Sequence, residues 1–211
     1  DKMESYRDFA RVYDEFMDQT PYDEWLLNIL NIFKEYKIDK DTQVLDLGCG
    51  TGKMARKLAR EGYQVTAVDN SMDMLEIAAS EEDDHILYVL QDMVSLELPQ
   101  QVDAAVSICD CMNYILEEED LKEAFRRVRE FLKEDGVFVF DMNSHYKYKE
   151  ILACNTFAED REDASFIWDN FYDEEERINE YQLSLFIRMS KVHITSTKNY
   201  IYRKLTNKKR L

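Results

Sequence analysis

The feature that most constrains the fold is a short apolar segment that runs directly into a cluster of glycines. Val44 to Leu47 reads Val-Leu-Asp-Leu, and Gly48, Gly50 and Gly52 follow it, which are three of only five glycines in 211 residues. An apolar strand that ends in a glycine-rich turn and leads into a helical pattern is typical of a βαβ unit. The segment therefore predicts a parallel sheet with a ligand site at the carboxyl end of this strand.

Short apolar strands continue to alternate with amphipathic helices along the chain. We predict strands at 44–47, 65–68, 86–90, 104–108 and 137–140, and helices at 22–37, 53–61, about 71–79 and 117–133. Parallel strands joined by right-handed crossovers give an α/β fold. We therefore expect a doubly wound, mainly parallel Rossmann-like sheet with helices on both faces.

After about residue 154 the hydrophobic period changes from helical to alternating. Residues 166–172 and 181–188 read as strands, which predicts a small antiparallel β meander after the fifth strand. We therefore expect two domains. Residues 1–153 would form the Rossmann-like domain with an N-terminal helical cap, and residues 154–211 an antiparallel β insertion or cap with a basic tail.

The glycine spacing separates three classes of ligand. A phosphate-binding P-loop requires Gly-Lys followed by Ser or Thr, but Gly52-Lys53 is followed by Met54. A dinucleotide turn has glycines at relative positions 0, 2 and 5, whereas here they stand at 0, 2 and 4. A carboxylate at Asp46 suits an ammonium group, and Asp69, at the end of the next strand, can accept hydrogen bonds from both hydroxyls of a ribose. A ligand with a ribose, an ammonium group and no phosphate indicates S-adenosylmethionine.

The run from Asp46 to Gly52, with Val68 to Ser71 as a ribose site, resembles the class I S-adenosylmethionine-dependent methyltransferases. The similarity extends over about residues 5–188 to small uncharacterised bacterial members. It implies S-adenosylmethionine as cofactor and a small-molecule methyl acceptor. The cofactor-binding residues that it implies are Tyr13, Asp46, Gly48, Cys49, Gly50, Gly52, Asp69, Asn70, Met72, Asp92, Met93, Cys109 and Asp110.

The resemblance also implies what several of these residues do. Asp92 would bind the adenine amino group, with the Met93 backbone beside it, and Met72 would pack on the adenine ring. Cys109 and Asp110, at the end of the fourth strand, would border the methionine moiety. Tyr13 would reach over the cofactor from the N-terminal segment.

No motif assigns the acid–base chemistry, so the catalytic residue is unknown from sequence. Methyl transfer from a sulfonium is an in-line displacement, in which alignment and desolvation supply much of the catalysis. The protein must add a base only where the attacking atom carries a proton. Asp110, His145 and Tyr146 are the candidates for that base.

The C-terminal region departs from the resembled family. Its members usually add a helix and an antiparallel strand pair that complete a seven-stranded sheet, but residues 191–211 are short and basic and show no such pattern. We therefore expect these strands to be missing and the fifth strand to be an edge. Such an edge is covered either by the tail folding back or by a homodimer, which we favour. A catalytically impaired S-adenosylmethionine-binding protein and an NAD(P)-dependent oxidoreductase stay open as alternatives, the second disfavoured by the glycine spacing.

Composition limits the kinds of partner and the cell compartment that we expect for this protein. With 27 Lys and Arg against 44 Asp and Glu, the net charge is −17, which argues against nucleic acid as a partner. No apolar run approaches the roughly 20 residues that cross a bilayer, so no membrane association is expected. The four cysteines have no metal-ligand spacing. We expect no metal and a cytoplasmic protein with free thiols.

Overall fold

The computed structural model describes residues 10, 13–190 and 193–204, with side chains through residue 188. The chain folds into two compact units. We call them the parallel unit and the antiparallel unit, after their sheets. Among the helices in the described part of the chain, none is both long and apolar enough to cross a membrane.

The parallel unit comprises Phe16–Met112 and Glu117–Met142. Its strands are β1 (Gln43–Leu47), β2 (Gln64–Asp69), β3 (Ile86–Leu90), β4 (Val102–Ser107) and β5 (Leu132–Phe140), and its helices are α1 (Tyr22–Glu35), α2 (Lys53–Arg60), α3 (Met72–Ala78) and α4 (Glu118–Phe131). The strands pair in the order β3-β2-β1-β4-β5, and every pair is parallel. This confirms the predicted doubly wound sheet.

Helices cover both faces of this sheet. Val44 packs on one face with Phe33 from α1 and Leu58 from α2. Leu45 packs on the other face with Val128 from α4. Successive strand residues point to opposite faces, so a strand that is covered on both sides needs an almost continuous apolar run. That requirement explains the sequence of β1.

The strand order reverses between β1 and β4. The chain leaves β1 toward β2 and β3, and it returns on the other side of β1 to form β4 and β5. In open sheets of this kind, ligands bind in the crevice beyond the carboxyl ends of the strands at the reversal. The glycine turn follows β1 at this edge, and Cys109 and Asp110 follow β4.

The antiparallel unit contains Asn113–Leu116 and the described residues of 1–15 and 143–211. A π-helix at Lys147–Leu152 precedes four strands, β6 (Thr156–Asp160), β7 (Ala164–Asp173), β8 (Ile178–Ser190) and β9 (His193–Lys204). They pair antiparallel in chain order. The predicted meander is confirmed, with two strands more than the sequence pattern indicates. The predicted domain boundary at residue 153 stays a prediction.

The described tail forms a strand that the sequence pattern does not indicate. Residues 193–204 pair with β8, from Ile178 opposite Lys204 to Ser190 opposite His193. They therefore add to the antiparallel sheet and do not pair with β5 in the described part of the chain. In the described part of the chain, β5 is an outer strand of the five-stranded sheet, as expected.

Candidate functional site

The backbone of the turn between β1 and α2 explains its three glycines. Gly48, Gly50 and Gly52 have φ angles of +79°, +54° and +78°, in the left-handed region that residues with a Cβ avoid. A Cβ at Gly48 would lie 2.7 Å from Cys111 Sγ, and one at Gly52 would lie 2.7 Å from the Tyr88 hydroxyl. A Cβ at Gly50 would meet nothing within 4 Å among the described residues. Packing therefore requires two of the glycines, while Gly50 borders open space.

Asp69, the last residue of β2, holds this turn through its carboxylate. Its Oδ2 accepts a hydrogen bond from the Gly50 N–H at 2.8 Å, and its Oδ1 accepts one from the Ser71 N–H at 2.9 Å. Burial raises the pKa of Asp69, and these backbone donors oppose the rise. A carboxylate has about four acceptor positions. Because the Asn70 N–H is a third backbone donor to this carboxylate, Asp69 keeps acceptor capacity for about one further donor, such as a hydroxyl of a ribose.

Asp46 lies buried beneath the turn and is only 1% exposed. Its carboxyl group accepts a hydrogen bond from the Ala55 N–H near the start of α2, while Oδ2 has no hydrogen-bond partner among the described residues. Burial first, and then the nearby Asp69 carboxylate, raise the pKa of Asp46 to about 7. An unpaired buried acceptor is unfavourable, and an ammonium group would offset that cost.

The turn after β4 has an unusual backbone. Cys109 and Asp110 have φ angles of +62° and +53°, a region that costs a residue with a side chain about 1–3 kcal/mol. The Asp110 N–H donates to Asp141 Oδ1 at 2.7 Å, and the Cys111 thiol lies 3.3 Å from the Gly48 carbonyl oxygen. These contacts stabilise the turn and join it to the glycine turn.

Tyr22, the first residue of α1, also connects the two turns. Its hydroxyl lies 3.6 Å from Cys109 Sγ, and the Lys53 ammonium group lies 5.5 Å from the centre of its ring. Lys53 is the first residue of α2, directly after the glycine turn. From sequence, Tyr22 is one of several N-terminal aromatic residues, and nothing in its spacing indicates this bridging position.

The remaining predicted residues of the parallel unit have varied surroundings. Asn70 and Met72 are exposed, Met72 at the first position of α3 with 54% of its surface accessible. Asp92 is also exposed, and one of its oxygens accepts the N–H two residues later at 2.9 Å. Met93 packs against the core, and Cys49 is buried. Their roles toward a cofactor stay predictions.

Three other predicted residues belong to the antiparallel unit. Tyr13 is half-buried, and Tyr146 is 66% exposed beside the π-helix. The exposed His145 ring lies 6.2 Å from the Tyr172 ring, centre to centre. None of these surroundings identifies a base, so His145 and Tyr146 stay candidates beside Asp110.

None of the four cysteines forms a disulfide in the described part of the chain. Burial raises the pKa of the Cys49 thiol, with smaller contributions from Asp46 and Asp69. Burial likewise raises the pKa of Cys111 well above its usual value. Within the described residues, no group of three or more His, Cys, Asp or Glu side chains is arranged to hold a metal ion.

Comparison with known proteins identifies the family. A model of the methyltransferase domain matches residues 44–136. The "Putative methyltransferase GWCH70_2453" of Geobacillus sp. (strain WCH70) is 37% identical over 187 residues, which cover 87% of this chain and 76% of that relative. The chain belongs to the class I S-adenosylmethionine-dependent methyltransferases. S-adenosylmethionine is its cofactor, and the oxidoreductase alternative receives no support.

Two further comparisons agree with this family. The "Putative methyltransferase YqeM" of Bacillus subtilis (strain 168) is 37% identical over 185 residues, which cover 86% of this methyltransferase and 73% of that relative. The crystal structure of an S-adenosylmethionine-dependent methyltransferase from Clostridium acetobutylicum ATCC 824 superposes with a TM-score of 0.82 at 27% identity. That match covers 96% of this chain and 82% of the other.

Proposed function

We propose that this methyltransferase binds S-adenosylmethionine beside the glycine turn and transfers the methyl group to a small molecule by in-line displacement. The observation that carries the proposal is the open space at Gly50. A Cβ there has no described neighbour within 4 Å, although Gly48 and Gly52 on either side are closely packed. A glycine that packing does not require leaves a ligand room to approach the backbone.

Two carboxyl groups beside this space have the chemistry that the cofactor needs. Asp69 retains acceptor capacity for a ribose hydroxyl while it holds the backbone N–H groups of Gly50, Asn70 and Ser71. Asp46 has an unpaired oxygen beneath the turn that suits an ammonium group. Asn70, Met72, Asp92 and Met93 would then contact the adenosine half, and Gly48, Cys49, Gly52, Cys109 and Asp110 the methionine half. Tyr13, which the family resemblance also implies, stays a prediction from sequence.

When bound, the cofactor supplies an electrophilic methyl group on a sulfonium, and its sulfur leaves as a neutral thioether. The protein must align the acceptor atom with that methyl group and exclude water. Where the acceptor atom carries a proton, a side chain must take it. Asp110, beside the glycine turn, is the residue that we propose for this role, and His145 and Tyr146 stay candidates from sequence.

Calorimetry tests the cofactor site. We expect the protein to bind S-adenosylhomocysteine, the demethylated form of the cofactor, and not NADH. Binding of NADH without S-adenosylhomocysteine would overturn the proposal.

The net charge of −17 supports a small-molecule acceptor over a nucleic acid, since contacts to phosphate depend on Lys and Arg. The test supplies S-adenosylmethionine with an isotopically labelled methyl group, together with a cell-metabolite extract, total RNA or DNA. Label in a small molecule supports the proposal, and label only in nucleic acid contradicts it. No labelled product, with intact binding of S-adenosylhomocysteine, would favour the impaired binding protein.

We also propose that the protein works in the reducing environment of the cytoplasm. Four cysteines that form no disulfide in the described part of the chain support this compartment. Thiol titration of protein isolated under conditions that block exchange should find all four cysteines reduced, and a disulfide would contradict the proposal.

A further inference from the structure

We infer that Asp141 is a positioning residue for the cofactor site, acting through the turn after β4. Asp141 directly follows β5, and its Oδ1 accepts the Asp110 N–H at 2.7 Å. Strands β4 and β5 are parallel neighbours in which Ser107 lies opposite Phe140, so both end at the same edge of the sheet. The residue after β5 is therefore placed to hold the turn after β4.

That turn needs support from outside itself. Cys109 and Asp110 are consecutive residues with side chains, and both have the left-handed backbone that favours glycine. Such a conformation persists where surrounding contacts impose it. A carboxylate that accepts the N–H between the two residues fixes their shared peptide, because it bonds to the amide of that peptide.

The backbone of Asp141 is itself hydrogen-bonded to β4, and this bond fixes the position from which its carboxylate reaches the turn. The Asp141 N–H donates to the Ser107 carbonyl oxygen at 3.2 Å, which continues the pairing of β5 with β4 by one residue. The same residue thus extends the strand ladder with its backbone and bonds to the turn with its carboxylate. Asp141 thus takes part in two hydrogen bonds, one that its N–H donates to β4 and one that its carboxylate accepts from the turn, and together they set the distance between β5 and the turn.

Fixing the peptide between Cys109 and Asp110 also fixes where those two side chains project. Our proposed function, on which this inference rests, places both beside the methionine half of the cofactor. Cys109 has a further contact on its other side, since its sulfur lies 3.6 Å from the Tyr22 hydroxyl. Loss of the Asp141 carboxylate should therefore weaken cofactor binding without removing any group that touches the cofactor.

The test compares the affinities of two Asp141 variants for S-adenosylhomocysteine by calorimetry. We expect Asp141→Ala to weaken binding by about tenfold or more, because it leaves the Asp110 N–H without this acceptor. Asp141→Asn keeps an oxygen that can accept the same N–H, and we expect its affinity to stay within about threefold of wild type. Wild-type affinity in Asp141→Ala, or an equal loss in both variants, would overturn the inference.

Asp103→Ala is the matched control. Asp103 Oδ2 also accepts a backbone N–H, from Gln43 at 3.1 Å, but at the amino-terminal end of β4. Its removal costs a hydrogen bond of the same kind, together with the ion pair between Asp103 and Lys133, at the end of β4 away from the proposed site. We expect its affinity for S-adenosylhomocysteine to equal that of wild type, and a loss like that of Asp141→Ala would contradict a role confined to the turn.

A double-mutant cycle with Asp110→Gly distinguishes positioning from general stability. Glycine adopts the left-handed backbone without a side-chain penalty, so the turn depends less on Asp141 when residue 110 is glycine. The effect of Asp141→Ala should be smaller in the Asp110→Gly background than in wild type. An undiminished effect would mean that Asp141 does not act through the backbone of residue 110.

Amide hydrogen exchange gives a readout even if Asp141→Ala does not fold. In wild type and Asp141→Asn, the Asp110 amide should be protected, and rapid exchange in wild type would refute the hydrogen bond. Failure of the proposed function gives a different result, because wild-type protein would then fail to bind S-adenosylhomocysteine. Binding by wild type with no effect of Asp141→Ala refutes only the inference about Asp141.

Discussion

The backbone N–H of Gly50 donates a hydrogen bond of 2.8 Å to Oδ2 of Asp69. The glycine that borders open space and the acid at the end of β2 are thus directly joined. A change at Asp69 alters the shape of the glycine turn as well as any contact that Asp69 makes with a ligand.

Asp69→Ala is expected to weaken binding of S-adenosylhomocysteine. Each charge-assisted hydrogen bond to a ribose hydroxyl that is lost costs on the order of 1.5–3 kcal/mol at most, and the Gly50 N–H loses its acceptor as well. Calorimetry measures the change. Asp84→Ala, which removes an exposed carboxylate before β3, is the control and should bind normally. Unchanged affinity in a folded Asp69→Ala protein would remove Asp69 from the site.

Gly50→Val should abolish cofactor binding while most of the fold is retained. The new side chain enters the space where the ligand approaches the backbone, and no described atom lies within 4 Å of its Cβ. The left-handed backbone itself costs roughly 1–2 kcal/mol. Gly62→Val is the matched control, because Gly62 has a φ of +98° and the nearest atoms to its Cβ belong to the flexible Lys40 side chain, at 3.5 Å and beyond. If Gly50→Val binds normally, the turn has only a structural role.

Asp46 should make stability depend on pH. Its folded pKa of about 7 exceeds the ordinary value of 3.8, so the folded state keeps a proton that the unfolded state loses. The wild-type free energy of unfolding is therefore highest, with respect to this group, below pH 4. It falls as the pH rises to 7, by up to about 4 kcal/mol.

Asp46→Asn cannot ionise and should lack this dependence. Urea unfolding of both proteins between pH 4.5 and 7.5 measures their free energies of unfolding. The stability of the variant relative to wild type should increase as the pH rises. If the free energies of unfolding of the two proteins changed with pH in the same way, the Asp46 carboxyl would not hold a proton in the folded state.

The edge of the parallel sheet should mediate a homodimer. Strand β5 ends in Val-Phe-Val-Phe, and Phe140 is 39% exposed beside the rings of Phe125 and Phe138. Apolar strand edges recruit other chains. Sedimentation should show dimers that dissociate on dilution, and Phe140→Lys should shift the protein toward monomers. Leu27→Lys, which changes another exposed apolar residue on α1, should not. A wild-type monomer at high concentration would refute the dimer.

The central strands were predictable because burial on both faces leaves an apolar run in the sequence. The start of β5 was not, because Lys133, Glu134 and Asp135 are charged and Gly136 follows them. The structure pairs Leu132 with Val102 and Val137 with Ala104, so the register shifts there and the charged residues remain exposed. Strand β6 is almost entirely exposed and has no alternating pattern, so its pairing with β7 determines its structure.

Some residues of the proposed site could likewise be predicted from sequence, and others could not. The glycine turn and Asp69 could be found from sequence, because their spacing around β1 and β2 is local. The contacts of Tyr22 and Asp141 could not. They join segments that are distant in the chain, and the Asp141 contact follows from a left-handed backbone at Cys109 and Asp110 that sequence does not show.

The protonated thiols have a consequence for an enzyme that handles an alkylating agent. A sulfonium methyl group reacts with thiolates, and thiols are much poorer nucleophiles. Cys49 lies in the glycine turn, and the Cys111 sulfur lies 3.3 Å from the carbonyl oxygen of Gly48. Burial raises the pKa of both thiols and keeps them protonated. For these two sulfur atoms, burial therefore disfavours the thiolate form that would compete with the acceptor for the methyl group.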